Sequence, residues 1–233
     1  MNEKEIFIEL YKNGLIKTLK DKPEGWKLVS GLWSPFYIQL RLLPSYPPLL
    51  NEIGKLLGER IKRYGNKLLG IAMAGIPIAT AISLYHNMPL CYTRKIGGVK
   101  SIEDLQKHAS QYGEHSLVEG EIEEGDEFIA IDDIVTRFDS KLVAIKQLEI
   151  EAEKRNCNIK CRHVAVVIDR QQGAEEVARQ YGIKLHALIK FKEAIKWTKD
   201  MMSGKEYQIV VDYLENPEKY QDEEKRKEML KKI

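Results

Sequence analysis

The sequence predicts an α/β fold in which a parallel β-sheet is flanked by helices. Short, almost wholly apolar runs recur through the central part of the chain, and such runs are typical of strands buried on both faces of a parallel sheet. Segments with helical spacing of apolar residues lie between these runs, and this alternation favours a sheet covered by helices on both sides. With 233 residues, the chain is long enough to bury one good hydrophobic core.

The predicted elements follow one another along the whole chain. Apolar spacing predicts a first helix over 3–19, and a turn follows at 21–25. Two extended segments are predicted at 26–29 and 36–42, and Pro47 and Pro48 open a helix that ends near Gly65. The later predicted strands are 68–73, 90–93, 128–131, 164–168 and 185–189. The predicted helices between them are 77–85, 141–153 and 174–181, and a helical tail with a break near Asn216 and Pro217 closes the chain.

Composition and charge exclude several classes of protein. The 37 Lys and Arg residues nearly cancel the 35 Asp and Glu residues, so nothing global attracts nucleic acid or an anionic membrane. The sequence does not open on a signal-peptide pattern, and no apolar run approaches membrane-spanning length. Its three cysteines are too few for a disulfide framework and lack the clustered partners of a zinc site. We therefore expect a soluble, cytoplasmic protein without a nucleic-acid or membrane partner.

The most informative stretch is a predicted strand that ends on two adjacent acids, Asp132 and Asp133. A short polar loop over 136–140 follows, and a helical pattern opens at Lys141. Ligands of parallel sheets bind beyond the carboxyl ends of the strands. Carboxylates there can accept hydrogen bonds from sugar hydroxyls, while the free N–H groups of a helix N-terminus can hold a phosphate. Adjacent acids can also simply cap a strand and a turn, but two like charges after a buried strand favour a sugar-phosphate site.

A long connection separates the strand that ends at Thr93 from the strand that begins near Phe128. It opens with Arg94 and Lys95, which by themselves are also compatible with a solvated pair of charges. Ser101 followed by an acid three residues later predicts a capped helix that continues through His108. Connections of this length are either functional lids and hairpins or disordered insertions.

Six segments in the same order resemble the type I phosphoribosyltransferases, and most of all the orotate phosphoribosyltransferase family. The resemblance extends from residue 26 to about residue 190, and the acid pair with its loop is the family's fingerprint for phosphoribosyl pyrophosphate. The other five segments are Ser-Gly-Leu-Trp-Ser-Pro from Ser30, Ala-Gly-Ile-Pro from Ala74, Tyr-Thr-Arg-Lys from Tyr92, Leu-Val-Glu-Gly from Leu117 and Asp-Arg-Gln-Gln-Gly from Asp169.

The resemblance implies the type I phosphoribosyltransferase fold, with one domain over 1–190 that comprises a hood over 1–45 and a core over 46–190. Residues 191–233 then form a charged helical extension. It also implies transfer of a phosphoribosyl group from phosphoribosyl pyrophosphate to orotate or another base, in pyrimidine nucleotide synthesis. Mg²⁺ would accompany phosphoribosyl pyrophosphate without a metal site formed by the protein itself, and two identical chains would form a dimer.

The same resemblance implies roles for particular residues. Asp132 and Asp133 would hold the ribose hydroxyls, and Arg170 would hold the orotate carboxylate, although an arginine at this place can also form a surface salt bridge. Lys100 and His108 are the catalytic candidates, provided that the long connection folds back over the site. The remaining expected substrate-binding residues are Thr136, Arg137 and Ser140 for the 5′-phosphate, Arg94 and Lys95 for the pyrophosphate, Ala74 and Gly75 in the pyrophosphate loop, and Ser30.

Several positions depart from the family's pattern. Phe138 occupies a position that is usually glycine, and Asp139 places a negative charge where a phosphate is expected. Val29 and Ala74 stand where lysines occur in the family, and Tyr112 stands where the catalytic loop normally has histidine. Two alternatives therefore stay open: a catalytically impaired protein of this fold that binds a nucleotide or sugar phosphate as a regulator, and a structural dimerisation module.

Overall fold

The structure is a computed structural model that describes residues 1–28, 31–99, 101–111 and 115–230. The chain divides into two compact units. One unit combines Met1–Leu42 with Phe191–Ile233, and the other is Leu43–Lys190. The second unit contains the sheet predicted from the sequence.

Helices and strands alternate through most of the described residues. The strands are β1 (Ile16–Thr18), β2 (Trp26–Lys27), β3 (Trp33–Ser34), β4 (Phe36–Ile38), β5 (Lys67–Gly70), β6 (Leu90–Thr93), β7 (Val118–Glu119), β8 (Glu127–Val135), β9 (Lys160–Asp169) and β10 (Lys184–Lys190). The α-helices are α1 (Glu3–Lys12), α2 (Pro47–Ile61), α3 (Gly75–His86), α4 (Ile102–Gln111), α5 (Asp139–Lys154), α6 (Ala174–Gln180), α7 (Phe191–Ala194), α8 (Gly204–Glu215) and α9 (Glu223–Leu230). Short 3₁₀ helices cover Leu40–Ser45, Ile195–Met201 and Pro217–Tyr220.

The Leu43–Lys190 unit is built on a six-stranded sheet with the strand order β10-β9-β8-β5-β6-β7. All neighbouring strands are parallel except β7, which runs antiparallel to β6. The structure therefore confirms the predicted α/β class. Because the strands from β5 to β10 are parallel apart from β7, their carboxyl ends meet at one edge of the sheet.

The central strands bury consecutive residues because helices cover both of their faces. In β8, Phe128, Ile129, Ala130 and Ile131 are all buried, and this explains the apolar run in the sequence. Helices α5 and α6 contribute to one core cluster with β8 and β9. Helices α2 and α3 pack against each other, and α3 also packs against β5 and β8.

The structure corrects several predicted segments, among them the strand expected over 68–73, which ends at Gly70. The first helix ends at Lys12 rather than near residue 19, because Gly14 adopts φ +69° and the chain then enters β1. Only Phe36–Ile38 of the segment 36–42 is a strand, and a 3₁₀ helix begins at Leu40. Strand β8 continues to Val135, so both acids belong to the strand itself.

The unit formed by Met1–Leu42 and Phe191–Ile233 contains two small antiparallel strand pairs, β1 with β4 and β2 with β3. Its centre is aromatic. Phe36 packs on Phe191 with ring centroids 4.6 Å apart, and Trp33 stacks on Tyr220 at 5.7 Å. Tyr213 contacts Phe36 edge-on at 5.7 Å. These rings join helices from the end of the sequence to strands from its beginning.

Among the residues that the structure describes, no helix has both the length and the apolar composition needed to cross a lipid bilayer.

Candidate active site

The ends of four strands meet at the carboxyl edge of the sheet. The segment after β5 is fixed by two hydrogen bonds, from Ile71 N–H to the Ile131 carbonyl at 2.9 Å and from Ala72 N–H to Thr93 Oγ1 at 3.0 Å. After β9, Arg170 N–H donates to the Val135 carbonyl at 3.1 Å. The ends of β5, β6, β8 and β9 are thereby held together around the acid pair.

Gly75 brings helix α3 directly against β8. A Cβ atom on Gly75 would lie 2.1 Å from the Ile131 carbonyl oxygen and 3.1 Å from Asp132 Cα, so only glycine allows this approach. Ala74 is the N-cap residue of α3. The predicted pyrophosphate-loop residues Ala74 and Gly75 therefore lie beside the first acid, with the positive end of the α3 dipole at the same edge.

Asp132 is held by a cation that the sequence analysis did not identify as part of the site. The residue is 7% exposed, its Oδ1 accepts the Asp133 N–H at 2.9 Å, and its Oδ2 pairs with Lys141 Nζ at 2.7 Å. The same ammonium group donates to the Ile134 carbonyl at 2.6 Å and to Ser140 Oγ at 3.3 Å. Lys141 is itself buried, so the pair is shielded from water.

One signal in the sequence could have identified Lys141. Lys141 lies four residues before Ile145 and seven before Leu148, and the side chains of Ile145 and Leu148 are buried in the core cluster. A lysine in this helical row occupies an apolar stripe of α5. A buried ammonium group is stable only with a charged or polar partner, and two acids precede it in the chain.

Asp133 is partly buried, and its Oδ1 accepts the Ile134 N–H at 2.8 Å. Burial raises the pKa of its carboxyl to about 7, and the negative charge of Asp132 adds to this effect while Lys141 opposes it. Asp133 therefore changes its protonation state near neutral pH, in contrast to an ordinary surface aspartate.

The loop between β8 and α5 accommodates Phe138 at the position where glycine was expected. Phe138 adopts φ +83°, the left-handed conformation that glycine favours, and its ring is 2% exposed within the core cluster. Asp139, the first residue of α5, is exposed, as are Arg137 and Ser140, while Thr136 is partly buried. The N–H groups of Lys141 and Leu142 donate to the Phe138 carbonyl at 2.9 and 3.3 Å, so the N–H groups before them, at Asp139 and Ser140, are the ones suited to an anion.

Arg170 follows β9 at the same edge and is 9% exposed. It interacts with other groups of the chain, and its Nε and Nη2 atoms are buried with no hydrogen bond of their own within the described residues. The preceding Asp169 accepts the Gln171 N–H at 2.7 Å, and burial raises the pKa of its carboxyl. The predicted carboxylate-binding arginine is thus a buried side chain rather than a solvated surface residue.

The long connection begins with two exposed cations and is anchored to α5. Arg94 pairs with Glu119 at 3.6 Å, and Lys95 is exposed. The predicted cap of α4 is confirmed, since Ser101 N–H donates to Asp104 Oδ2 and Asp104 N–H donates to Ser101 Oγ, both at 3.1 Å. Helix α4 packs against α5, and His108 lies on α4. Ser30 and Lys100 lie outside the described residues, as do Val29 and Tyr112.

A row of polar side chains on α5 supports this connection and was not foreseen. Gln147 Nε2 donates to the Arg94 carbonyl at 3.0 Å, and Glu151 Oε2 accepts the Leu117 N–H at 2.8 Å. Arg155 pairs with Glu151 at 2.9 Å and donates to the Val118 carbonyl at 3.0 Å. These contacts fix both ends of the connection to one helix.

The carboxylate oxygens of the acid pair are directed to groups of the protein itself. Asp132 directs Oδ1 to a backbone N–H and Oδ2 to Lys141, and Asp133 directs Oδ1 to a backbone N–H. Within the described residues, no group of three or more His, Cys, Asp and Glu side chains is arranged to hold a metal ion.

Comparison with known proteins gives consistent relatives. No protein-family model matches the chain. It is 31% identical to the orotate phosphoribosyltransferase of Methanocaldococcus jannaschii over 166 residues, which are 71% of this chain and 84% of the relative. The structure of Leishmania donovani UMP synthase matches with a TM-score of 0.73 and 24% identity over 91% of this chain and 42% of that one. Orotate phosphoribosyltransferase from Aeropyrum pernix matches with a TM-score of 0.62 and 23% identity over 82% of this chain and 96% of that one. These two structural matches show a shared fold.

Proposed function

The chain belongs to the orotate phosphoribosyltransferase family, and we propose that it transfers a phosphoribosyl group from phosphoribosyl pyrophosphate to orotate, or to another base, in pyrimidine nucleotide synthesis. One observation supports this most directly. Asp132 and Asp133 lie at the carboxyl edge of the parallel sheet, between the first residue of α3 and the N-terminus of α5. Acceptors for sugar hydroxyls and donors for phosphates are thus adjacent.

In the proposed reaction, a ring nitrogen of the base attacks the anomeric carbon of the ribose. A carbon–nitrogen bond forms there as the nitrogen releases its proton to solvent, the bond to the pyrophosphate oxygen breaks, and its electron pair leaves with pyrophosphate. Because positive charge develops on the sugar, the protein contributes mainly by orienting the reactants and stabilising charge. Mg²⁺ enters as part of the substrate, bound to phosphoribosyl pyrophosphate, and balances the charge of the leaving group.

The proposed contacts follow the geometry of the site. The ribose hydroxyls bind at the acid pair, and the backbone N–H groups of Thr136–Ser140, with the side chains of Thr136, Arg137 and Ser140, meet the 5′-phosphate. Ala74 and Gly75 present the α3 N-terminus to the pyrophosphate. Arg170 suits the planar carboxylate of orotate, since its guanidinium group is buried at the next strand end.

The long connection supplies the remaining charges in this proposal. Arg94 and Lys95 are exposed where β6 ends, and there they can approach pyrophosphate. Lys100 and His108 are the proposed catalytic cations, because both belong to the same connection. Ser30 is proposed as a further substrate-binding residue on the basis of its motif. We also propose a homodimer located in the cytoplasm.

A spectrophotometric assay tests the proposed function. Orotate absorbance should fall only when protein, Mg²⁺ and phosphoribosyl pyrophosphate are all present, and pyrophosphate should accumulate in equal amount. The double variant Asp132→Asn/Asp133→Asn should be inactive. Arg170→Lys should raise KM for orotate by at least about tenfold and change KM for phosphoribosyl pyrophosphate far less, because lysine cannot form the two-pronged contact. Absence of turnover in the wild-type protein would reject the proposal.

A second candidate function is favoured by the loop that departs from the family's pattern. Phe138 and Asp139 replace small residues, and Lys141 already neutralises Asp132. These features fit a protein that binds a nucleotide or sugar phosphate as a regulator without turnover. Thermal stabilisation by orotidine 5′-monophosphate, in a protein that leaves orotate unchanged, would support this second function.

A further inference from the structure

We propose that the two adjacent acids have different tasks: Lys141 holds Asp132 in a structural ion pair, and Asp133 recognises the ribose hydroxyls. This inference rests on the proposed function, because it concerns the sugar of the same substrate. It departs from the expectation that both carboxylates bind the sugar.

The ammonium group of Lys141 is fully engaged by the chain itself. An ammonium group has three N–H donors. Three acceptors surround it: Asp132 Oδ2 at 2.7 Å, the Ile134 carbonyl at 2.6 Å and Ser140 Oγ at 3.3 Å. The Lys141 side chain is only 6% exposed. These contacts connect the strand, the loop and the first turn of α5 through one cation.

Asp132 is correspondingly occupied on both oxygens. Oδ1 accepts the Asp133 N–H at 2.9 Å, Oδ2 pairs with Lys141, and the side chain is 11% exposed. Each oxygen keeps a second lone pair, but the side chain is nearly enclosed, so a sugar hydroxyl could reach Oδ2 only by displacing Lys141. Loss of one member of a buried ion pair is strongly unfavourable, because the other charge is left without compensation.

Asp133 is in a different situation. It is more exposed than Asp132, and its Oδ1 accepts the N–H of the next residue, Ile134. In the described part of the chain, no cation lies within ion-pair distance of its carboxylate. Asp133 therefore has acceptor capacity for a ligand, and hydrogen bonds from hydroxyls to an ionised carboxylate are among the strong ones.

The ion pair also changes the charge that a sugar phosphate meets. Two ionised acids alone would give the site a charge of −2, and Lys141 reduces this to −1. An anionic ligand is repelled less by the smaller charge. Lys141 thus acts as a positioning residue that holds Asp132 and neutralises its charge.

Calorimetric titration with ribose 5-phosphate and 2-deoxyribose 5-phosphate, in EDTA at pH 8, tests this division of tasks. The wild-type protein should prefer ribose 5-phosphate by at least about tenfold, the usual worth of a charged hydrogen bond. Asp133→Asn should abolish the preference. The double variant Asp132→Asn/Lys141→Met replaces the ion pair with uncharged side chains of similar size. Its preference for ribose 5-phosphate should stay within about threefold of the wild-type value.

Two further variants separate charge from folding. Lys141→Met alone should weaken binding of ribose 5-phosphate by at least about tenfold, and the double variant should restore it, because only the single variant leaves Asp132 uncompensated. Lys141→Arg should retain binding, since it keeps the charge. Circular dichroism and thermal unfolding of each variant establish that it is folded.

Several outcomes would overturn the inference. The first is that Asp132→Asn/Lys141→Met loses the preference for ribose 5-phosphate as fully as Asp133→Asn does. The second is that Asp133→Asn keeps the preference. The third is that the wild-type protein shows no preference. The orotate assay remains independent of these results. A wild-type protein that prefers ribose 5-phosphate without converting orotate would reject the proposed activity and leave the assignment of the two acids intact.

Discussion

Glu151 accepts the backbone N–H of Leu117 at 2.8 Å while its other oxygen pairs with Arg155 at 2.9 Å. Glu151 is 5% exposed, so one buried carboxylate fixes the returning end of the long connection to α5. The connection carries several of the proposed cations, and its anchoring is therefore part of the architecture of the site.

Replacement of Glu151 should destabilise the protein. We expect Glu151→Ala to lower the free energy of unfolding by about 2–4 kcal/mol, because it leaves the buried Leu117 N–H without its acceptor and removes the charged partner of Arg155. Glu151→Gln should cost less, since the amide oxygen still accepts the Leu117 N–H. Urea denaturation measures both. The exposed neighbour Glu149 pairs with Lys146 at the surface, and Glu149→Gln should change stability by less than about 0.5 kcal/mol.

Gly75→Ala should disrupt both stability and the site. The new Cβ would lie 2.1 Å from the Ile131 carbonyl oxygen, so α3 and β8 must move apart. We expect the free energy of unfolding to fall by about 2–4 kcal/mol. Displacement of the acid pair should lower kcat/KM by about a hundredfold. Gly204→Ala is the matched control, because a Cβ there meets nothing within 4 Å. Equal behaviour of the two variants would contradict the close packing of α3 on β8.

Asp133→Asn should stabilise the protein at pH 8 and lose this advantage at pH 4. The pKa of Asp133 is raised by burial to about 7 in the folded state, above its ordinary value of 3.8. Between these values the folded state holds a proton that the unfolded state has released, so the wild type loses stability as pH rises. The amide removes this penalty, and we expect a gain of about 1–3 kcal/mol at pH 8.

Urea denaturation between pH 4 and pH 8 measures the difference in free energy of unfolding between Asp133→Asn and the wild type. Asp139→Asn provides the control, since Asp139 is exposed in the first turn of α5. The free energy of unfolding of Asp139→Asn should be about 0.3–1 kcal/mol lower than that of the wild type at pH 8, because a negative charge near a helix N-terminus is favourable. A gain from Asp133→Asn that is the same at pH 4 and pH 8 would exclude the titration of Asp133 as its cause.

Phe138→Gly should destabilise the protein even though glycine suits the backbone. Removal of a buried phenyl ring costs about 3–5 kcal/mol, and relief of the left-handed conformation returns about 1–2 kcal/mol. We therefore expect the free energy of unfolding to fall by about 1–4 kcal/mol, measured by thermal or urea unfolding. Phe138→Leu, which keeps apolar bulk, should lose less. A glycine variant as stable as the wild type would mean that the ring contributes little to the core.

Local signals predicted much of the fold. Strand β6 has the predicted bounds of 90–93, and the Ser101–Asp104 cap of α4 forms as expected, because both depend on residues close in sequence. The parallel sheet followed from buried apolar runs. The first helix was predicted too long, since apolar spacing continues past Gly14 although the backbone turns there.

The site was predicted less completely because its contacts are tertiary. The acid pair and Gly75 were identified from their motifs, and the structure brings them together. Lys141 was assigned only as the start of a helix, and its ion pair with Asp132 depends on how the loop folds back. Phe138 appeared unsuited to its position, because the sequence alone does not tell which way a side chain in a loop points.

The aromatic centre of the Met1–Leu42 and Phe191–Ile233 unit bears on how the protein is made. Phe36 emerges from the ribosome long before its partners Phe191 and Tyr213, because the whole Leu43–Lys190 unit is synthesised between them. During that interval, apolar rings from the first segment have no native partner from the last. At typical rates of about 5–20 residues per second, the delay lasts roughly ten to thirty seconds. Nascent chains of this protein should therefore depend on chaperone protection until synthesis is complete.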